Sequence, residues 1–281
     1  GDRLLPVMRR PRHLTRHNAE VFEDHEVVAC YHHRPPYPEE LIRLLASLVD
    51  PAALRIVEIG CGLGEVARRL APFVSEATAA DPSQAMLEAA RLLPGAEPVR
   101  WIHSTTEELG AMPDQGLIVA AESLHWMDWA ETFAWARSAL SPGGRLAIIT
   151  GRRLRDAPWQ PGIMPLVREY STIFDFEAFD LIDRLGEEGL FEVEERRVIG
   201  PEPYRQSVAG YLASWHSRSS LSRARLGEEA SERFDREVTA LVEPHARDGW
   251  LDLQVEATIA WGRIKPGPRP AVRSPGRTPT R

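Results

Sequence analysis

The stretch VEIGCGLGE, residues 57–65, places three glycines at alternate positions directly after an apolar run. Glycine weakens strands and helices, so this cluster predicts a tight turn or a backbone that lies against a ligand. The run before the turn, LRIVEIG, is typical of a buried strand, and the segment after it, GEVARRLAPFV, has helical spacing. The feature therefore predicts a strand, a tight turn and a helix.

The same alternation of apolar runs and helical segments continues to about residue 150. The strand-like runs are LRIVEIG, EATAAD, PVRWIHS, GLIVAAE and RLAIIT. Buried strands separated by helices are typical of a parallel sheet covered on both faces. Two later runs, FEVEERRVI and LDLQVEATIAW, predict two further strands of the same sheet. We expect a doubly wound, Rossmann-like α/β fold with a mostly parallel seven-stranded sheet and helical lid insertions.

Changes in this pattern predict five regions along the chain. They are an N-terminal arm (1–30), a cofactor-binding α/β core (31–154), a mostly helical lid containing one core strand at about 190–199 (155–245), a final core strand (246–264) and a disordered basic tail (265–281). The tail is rich in Pro, Gly and Arg and has too few apolar residues to pack.

Composition excludes several classes of protein. The apolar runs are far shorter than a bilayer span and no charged-then-apolar leader opens the chain, so we expect a soluble, cytoplasmic protein. With only Cys30 and Cys61 present, we expect neither disulfides nor a thiolate metal cluster, and no metal site is predicted. The net charge is −7 although the tail carries five basic residues. The acidic remainder argues against a nucleic acid partner; the oligomeric state stays open.

The glycine turn lies where a doubly wound fold binds its ligand, outside the carboxyl end of the first strand. A dinucleotide fold needs glycine at positions 60, 62 and 65, but position 65 is Glu. Glu58 would repel a pyrophosphate and could accept a hydrogen bond from a cationic amine. Asp81 ends the second strand, where it could accept both ribose hydroxyls and also cap the next helix. This pattern favours a nucleoside that carries an amino acid over NAD.

Four segments together, VEIGCGLGE, AADPSQAML, STTEEL and VAAESLHWMD, resemble the class I S-adenosylmethionine-dependent methyltransferases. The chain is similar to their small-molecule branch, which includes trans-aconitate methyltransferases and related enzymes of secondary metabolism. YHHRPPYP resembles that branch's motif before the first helix, and HWMD its motif after the fourth strand. The resemblance runs from Tyr31 to Ile264 and is weakest over residues 155–245.

The resemblance implies S-adenosylmethionine as cofactor, S-adenosylhomocysteine as product, and a set of cofactor-binding residues. The set is Tyr31, Arg34, Glu58, Gly60, Cys61, Gly62, Asp81, Pro82, Thr106, Glu107, Glu122 and Ser123. Within it, Glu58 and the glycine backbone would hold the methionine part, and Asp81 the ribose. Tyr31 and Arg34 would close over the cofactor, with Arg34 pairing its carboxylate.

The remaining roles implied by the resemblance concern the adenine and the sulfonium. Thr106 and Glu107 would meet the adenine, although the family has glycine and alanine where Ser104 and Thr106 stand. Glu122 and Ser123 would line the floor below the sulfonium.

A sulfonium is already an activated methyl donor, so the protein must mainly hold the acceptor in line with the S–CH₃ bond, which contributes roughly 7 to 11 kcal/mol. A general base adds roughly two to four orders of magnitude when the acceptor loses a proton. His125 is the candidate base because imidazole titrates near neutral pH. The alternative is that His125 and Trp126 only shape the pocket. Glu122 is a rival base, although contact with the cofactor's amine fits it better.

Four aromatic residues are candidate substrate contacts: Trp126, Tyr170, Tyr211 and Trp215. Helical spacing puts Tyr211 and Trp215 on one face, and such a stripe is more often core than pocket. The predicted function is methyl transfer from S-adenosylmethionine to O or N of a small, apolar or aromatic metabolite, with C-methylation left open. The alternatives are an NAD(P)-dependent oxidoreductase, disfavoured by Glu65, and a cofactor-binding protein without turnover.

Overall fold

The computed structural model describes residue 11, residues 14–174 and residues 178–266. Most of the tail predicted to be disordered, residues 267–281, lies outside the described residues, as do residues 1–10.

Seven strands form one sheet, and their order matches the predicted fold. The strands are β1 (Arg55–Ile59), β2 (Glu76–Asp81), β3 (Val99–His103), β4 (Gln115–Ala121), β5 (Leu140–Leu154), β6 (Phe191–Ser207) and β7 (Trp250–Ile264). Their order is β3-β2-β1-β4-β5-β7-β6, and within this sheet β7 runs antiparallel to its neighbours. The order reverses between β1 and β4, which places the topological switch point at the glycine turn. The predicted Rossmann-like seven-stranded sheet is confirmed.

The described residues also form eleven α-helices. They are α1 (Arg16–Ala19), α2 (His25–Tyr31), α3 (Glu39–Leu48), α4 (Glu65–Leu70), α5 (Gln84–Ala90), α6 (Trp129–Ala139), α7 (Gln160–Tyr170), α8 (Leu181–Glu187), α9 (Val208–His216), α10 (Arg223–Leu226) and α11 (Glu228–Val242). Several begin at a polar residue whose side chain accepts a hydrogen bond from a free backbone N–H, as Ser83 does from Met86 (3.1 Å) and Asp128 from Glu131 (3.0 Å).

Each face of the sheet is covered by helices. One face packs against α3, whose apolar residues recur at helical spacing, and against α4. The other packs against α6 and α8, where Trp129 and Phe133 are almost fully buried. Because both faces are buried, the central strands are mostly apolar, as the sequence indicated, and Glu58 of β1 and Thr78 of β2 are buried polar exceptions.

The helices of the predicted lid, α7, α9 and α11, have a hydrophobic core of their own. It is closed from below by the first residues of β7, Leu251 and Leu253, while Ile259 and Trp261 of the same strand belong to the core of the sheet. β6 is longer than expected and pairs with β7 as far as Ser207. The two long strands therefore join the lid to the sheet.

The N-terminal segment packs on the core from residue 14 onward. α2 crosses the boundary predicted between residues 30 and 31. The Ser83 hydroxyl donates to the carbonyl of Phe22 (2.8 Å), and the Phe22 ring stands edge-on to Tyr31 and Trp126. Within the predicted N-terminal arm over residues 1–30, residues 14–30 therefore pack against the sheet domain.

Candidate functional site

A cavity of about 1090 Å³ lies at the carboxyl ends of β1, β2 and β4. Ten of the residues predicted from the sequence line it: Tyr31, Arg34, Gly60, Gly62, Asp81, Pro82, Glu122, Ser123, His125 and Trp126. We call the part around the glycine turn and Asp81 the nucleoside side. The opposite part, formed by α7 and by residues 171–173, 179–182 and 218–220, is the acceptor side, and Arg34 and Glu122 lie where the two parts meet.

The three glycines occupy alternate positions because the backbone is left-handed at each of those positions. Gly60, Gly62 and Gly64 have φ values of +61°, +53° and +63°, in the left-handed region that favours glycine. A Cβ on Gly60 would also come within 2.6 Å of the Ser123 Cβ, and one on Gly64 within 2.4 Å of the Trp101 ring. The spacing is thus fixed by conformation and by close packing of the turn against two neighbours.

Asp81 is placed to hold a ribose. Its two carboxylate oxygens accept the backbone N–H groups of Gly62 and Ser83, each at 2.8 Å. An ionised carboxylate has about four acceptor positions, so two remain for hydroxyl donors in the cavity. Burial raises the pKa of Asp81 to about 6, although the two N–H donors favour the ionised form.

Glu122 directly follows β4 in the cavity floor and is bonded by two residues, Tyr37 and Arg152, that do not line the cavity. Its Oε2 accepts the Tyr37 hydroxyl (2.6 Å) and pairs with Nε of Arg152 (2.9 Å). Burial opposes ionisation, but the positive charges of Arg152 and Arg34 outweigh it and lower the pKa of Glu122. Glu122 is therefore an anionic acceptor for a cationic amine and a poor general base.

Arg152 joins this floor to the glycine turn. Besides Glu122, its guanidinium bonds Glu65 (3.0 Å) and the Pro35 carbonyl (2.6 Å), and it lies 4.1 Å from the Tyr37 ring centre. Glu65 occupies the position where a dinucleotide motif has glycine. Here it is committed to Arg152 and to the backbone N–H of Tyr37 (2.8 Å).

Tyr31 and Arg34 cover the turn from the side of α2. The Arg34 guanidinium lies 4.0 Å from the centre of the Tyr31 ring. It also donates to the side chain and the carbonyl of Ser217, at 2.8 and 3.0 Å. Arg34 thus reaches from the nucleoside side to the end of α9.

His125 and Trp126 lie in the short 3-10 helix after β4, and both line the cavity. Their ring centres are 5.1 Å apart. Phe22 packs edge-on against Trp126 with the ring centres 6.1 Å apart, so residues of two separate segments form an aromatic wall in the cavity that Asp81 also lines.

Four residues of the predicted cofactor set do not line the cavity. Glu58 is only 2% exposed, and its Oε2 accepts the N–H of Ala67 in α4 (2.7 Å). Burial raises its pKa to about 8. Its predicted role with the methionine amine is therefore corrected: the carboxyl group braces α4 from below the turn, and Glu122 is the acid that reaches the cavity.

The other three are Cys61, Thr106 and Glu107. Cys61 is buried in the core of the sheet. The Thr106 hydroxyl donates to the sulfur of Met127 (3.4 Å), and Glu107 accepts the N–H of Asp128 (2.7 Å). Both side chains stabilise the loop after β4 instead of meeting the cavity, which corrects the predicted adenine contacts.

Three of the four aromatic substrate candidates lie outside the cavity wall, and Trp126 is the exception. Tyr211 and Trp215 are 2% and 8% exposed in the lid core, where Tyr211 accepts the indole N–H of Trp159 (2.9 Å). The Tyr170 hydroxyl donates to Glu237 (2.7 Å). The structure supports the alternative interpretation of Tyr211 and Trp215, in which they form a helix face buried in the core.

Sequence reasoning missed Tyr37, Arg152, Arg218 and Phe22. Tyr37 lies in the YHHRPPYP motif, so its position carried a signal. Arg152 and Arg218 come from segments with no motif, and their contacts form only between distant parts of the chain.

The residues present fit S-adenosylmethionine. Asp81 offers free acceptor positions for a ribose, Glu122 an anion for the amine and Arg34 a cation for the carboxylate. Among the described residues no three His, Cys, Asp or Glu side chains gather as a metal site would require. None of the described helices is both long and apolar enough to cross a membrane.

Comparison with known proteins agrees with this geometry. Residues 57–148 match the family model of a methyltransferase domain. An uncharacterized methyltransferase of Mycobacterium tuberculosis is 30% identical over 155 residues, covering 54% of this chain and 58% of that protein. A trans-aconitate 2-methyltransferase of an Acidovorax species is 35% identical over 111 residues, covering 38% of this chain and 42% of that protein. The chain thus spans about half the length of the curated relatives it matches.

A solved structure supports the fold over most of the chain. It is that of a candidate type II methyltransferase from Anaeromyxobacter dehalogenans, which aligns with a TM-score of 0.59 and 23% identity over 83% of this chain and 99% of that one.

The strand order, the glycine turn and the position of Asp81 define an α/β domain with a cavity at its switch point. The matched family model identifies residues 57–148 as a methyltransferase domain, and the class I S-adenosylmethionine-dependent methyltransferase predicted from the sequence is confirmed for that part of the chain. S-adenosylmethionine is the cofactor of that family.

Proposed function

We propose that this protein transfers a methyl group from S-adenosylmethionine to an oxygen or nitrogen atom of a small metabolite. The observation that carries the proposal is a single cavity lined by Asp81 and the glycine turn on one side and by His125 and Glu122 beside them. Its volume of about 1090 Å³ accommodates a cofactor together with a small acceptor.

In the proposed complex the chain's own residues do three things. Asp81 accepts hydrogen bonds from the ribose hydroxyls, Glu122 accepts a hydrogen bond from the cationic amine, and Arg34 forms an ion pair with the cofactor's carboxylate. The bound cofactor supplies an activated methyl group on a sulfonium. The aromatic wall of Phe22 and Trp126 excludes water, and the acceptor side holds the nucleophile in line.

His125 is the proposed base. It lines the cavity next to Glu122, whose low pKa leaves it unsuited to accept a proton. If the acceptor is a hydroxyl group, imidazole takes the proton as the new bond to carbon forms. His125→Gln should then lower kcat while the affinity for S-adenosylhomocysteine stays unchanged. Equal turnover of wild type and variant would leave His125 as a pocket-shaping residue.

The proposal of a small-molecule acceptor instead of a nucleic acid is supported by the net charge of −7. A role in secondary metabolism stays a prediction from the resemblance.

Titration calorimetry with S-adenosylhomocysteine and with NADH tests the cofactor. We expect the first to bind and the second not to. Binding of NADH alone would favour the oxidoreductase. Turnover of S-adenosylmethionine over a panel of small hydroxyl and amine acceptors then separates an enzyme from a protein that only binds the cofactor.

A further inference from the structure

The acceptor side of the cavity carries more positive than negative charge. Six charged side chains line it or face it from the floor: Arg34, Glu122, Arg168, Asp180, Arg196 and Arg218. The acids Glu20, Glu23 and Asp81 line the nucleoside side instead.

Most of these charges are already matched. Arg196 pairs with Asp180 (3.3 Å) and with Asp183. Glu122 pairs with Arg152. Arg34 is hydrogen-bonded to Ser217, and in the proposed complex it also pairs with the cofactor's carboxylate.

Arg218 is different. Among the described residues, no carboxylate or carbonyl accepts a hydrogen bond from its guanidinium, which instead lies 4.4 Å from the centre of the Trp215 ring. Its side chain has an exposed surface inside the cavity while the protein surrounds it. Desolvation and the nearby charge of Arg34 lower its pKa to about 10. The contact with the Trp215 ring holds the guanidinium in place but accepts none of its N–H donors as a carboxylate would, and Arg218 lines the cavity.

Binding of the cofactor does not relieve this charge. The sulfonium brings a further positive charge to the same cavity, and the single carboxylate of the cofactor is already matched by Arg34. A guanidinium held in a protein cavity is stabilised most by a carboxylate that accepts two parallel hydrogen bonds. Arg168, which also has no acid or acceptor partner among the described residues, adds to the positive potential of this side.

Apart from Ser171, Ser219 and Ser220, the rest of the acceptor side is mostly apolar. The cavity is lined there by Met164, Val167, Ile173, Phe179, Ile182 and Ile259. A ligand that satisfies both features has one acidic group and a hydrocarbon body, and a densely charged acid would leave this apolar surface uncovered.

We propose that the methyl acceptor is a carboxylic acid with an apolar body, bound through its carboxylate by Arg218. This inference rests on the proposed function and names the substrate class of the same site. In it Arg218 determines specificity by binding the carboxylate. A hydroxyl or amine elsewhere on the same molecule forms the new bond to the methyl carbon as the S–CH₃ bond breaks, its proton passes to His125, and S-adenosylhomocysteine is the product.

The test compares acids with their neutral amides on protein saturated with S-adenosylhomocysteine. The probes are octanoate and octanamide, cinnamate and cinnamamide, and citrate as a densely charged acid. We expect at least one monocarboxylate to bind about tenfold more tightly than its amide and more tightly than citrate, because a charge-assisted pair is lost in the amide.

Three variants assign the preference to one side chain. Arg218→Gln should abolish the difference between acid and amide and leave the affinity for S-adenosylhomocysteine within about twofold. Arg218→Lys should keep part of the preference because it retains the charge but not the paired donors. Arg236→Gln, an exposed arginine on α11, is the matched control and should behave as wild type.

The outcomes are separable. If the wild type does not bind S-adenosylhomocysteine, the proposed function fails. If it binds the cofactor product but no acid binds more tightly than its amide, or citrate binds best, the present inference fails alone. It also fails if Arg218→Gln weakens S-adenosylhomocysteine as much as the acid, since Arg218 would then hold the cofactor's carboxylate. Thermal unfolding of each variant checks that the fold is intact.

Discussion

The nucleoside side and the acceptor side of the cavity are built in different ways. On the nucleoside side, five consecutive residues from Gly60 to Gly64 set the backbone, and Asp81 bonds to Gly62 only 19 residues away. Where the two sides meet, Arg34 is bonded to a residue 183 positions along the chain, and Glu122 is held by Tyr37 and Arg152 from two other segments. The nucleoside side is formed by residues close together in sequence, whereas the rest of the cavity forms only when distant segments pack together.

This difference has a physical origin. The cofactor is always the same molecule. A glycine turn and one carboxylate at the end of a strand are therefore enough to recognise it. Recognition of the acceptor depends on side chains placed by packing. We therefore expect substitutions on the nucleoside side to act through backbone strain or cofactor affinity, and those on the acceptor side to act through buried charge.

The largest effect is expected for Arg152→Met. The Arg152 side chain is 7% exposed and pairs with both Glu122 and Glu65. Removing Arg152 leaves Glu122 without its ion pair and Glu65 with Arg69 alone, and breaking a buried ion cluster in this way lowers the free energy of unfolding by about 3 to 5 kcal/mol. Urea unfolding measures it. Arg236→Met removes an exposed pair and should change stability by less than about 0.5 kcal/mol. Equal behaviour of the two variants would remove the distinction between the two sides.

The next largest effect is expected for Gly60→Ala. A left-handed alanine is strained by about 1 to 2 kcal/mol, and overpacking against Ser123 adds about 1 to 3 kcal/mol. Gly189→Ala is the matched control, because Gly189 has φ +70° with no atom near the added Cβ. Urea unfolding of both variants isolates the clash. If they lose the same stability, the turn is shaped by conformation alone.

Asp81→Asn should act on cofactor binding more than on the fold. Loss of hydrogen bonds to a charged group reduces the affinity for S-adenosylhomocysteine by about 1 to 3 kcal/mol in calorimetry. Asp128→Asn, which alters a helix cap outside the cavity, is the control. An unchanged affinity in Asp81→Asn with an intact fold would exclude the ribose role.

The pH dependence of binding sharpens the same point. Burial raises the pKa of Asp81 to about 6, from an unfolded value near 3.9. The ribose hydroxyls donate to the ionised form, so the affinity of the wild type should be full above pH 6 and fall as the pH drops through that value. Asn does not titrate, and Asp81→Asn should show no such step. A step of equal size in both proteins would assign it to another group.

The smallest effect is expected for Tyr170→Phe. The hydroxyl donates to Glu237 at the surface, away from the cavity, and its removal should change stability by less than about 0.5 kcal/mol. Turnover should be unchanged. A large rise in KM would instead support the role in substrate contact that the sequence predicted for Tyr170.

The same contrast explains which features of the structure could be predicted from the sequence. β2 is found at the predicted residues, 76–81, because an apolar run between turns is a local signal. Ten predicted site residues line the cavity because motifs at strand ends meet at one edge of the sheet. The end of β6 was missed because Gly200 and Pro201 read as a strand end, whereas a register shift resumes the pairing at Glu202.

The site residues that were misplaced share one cause. The acid of the glycine motif, Glu58, alternates with Val57 and Ile59 along β1, and the sequence does not say that α4 covers its side of the strand. Thr106 and Glu107 were placed by family resemblance, yet here their side chains are taken by the loop after β4. The local sequence pattern predicts the position of a residue in its strand or loop, but tertiary packing determines which groups its side chain contacts.

The continuous path of β6 and β7 has a practical consequence for engineering. Leu253 belongs to the lid and Ile259 to the sheet, six residues apart on one strand, so no linker separates a removable module. A chimera that imports the lid of a relative must cut through paired strands and match their register. Directed changes in acceptor choice are better sought by substituting single side chains such as Arg218 and Met164.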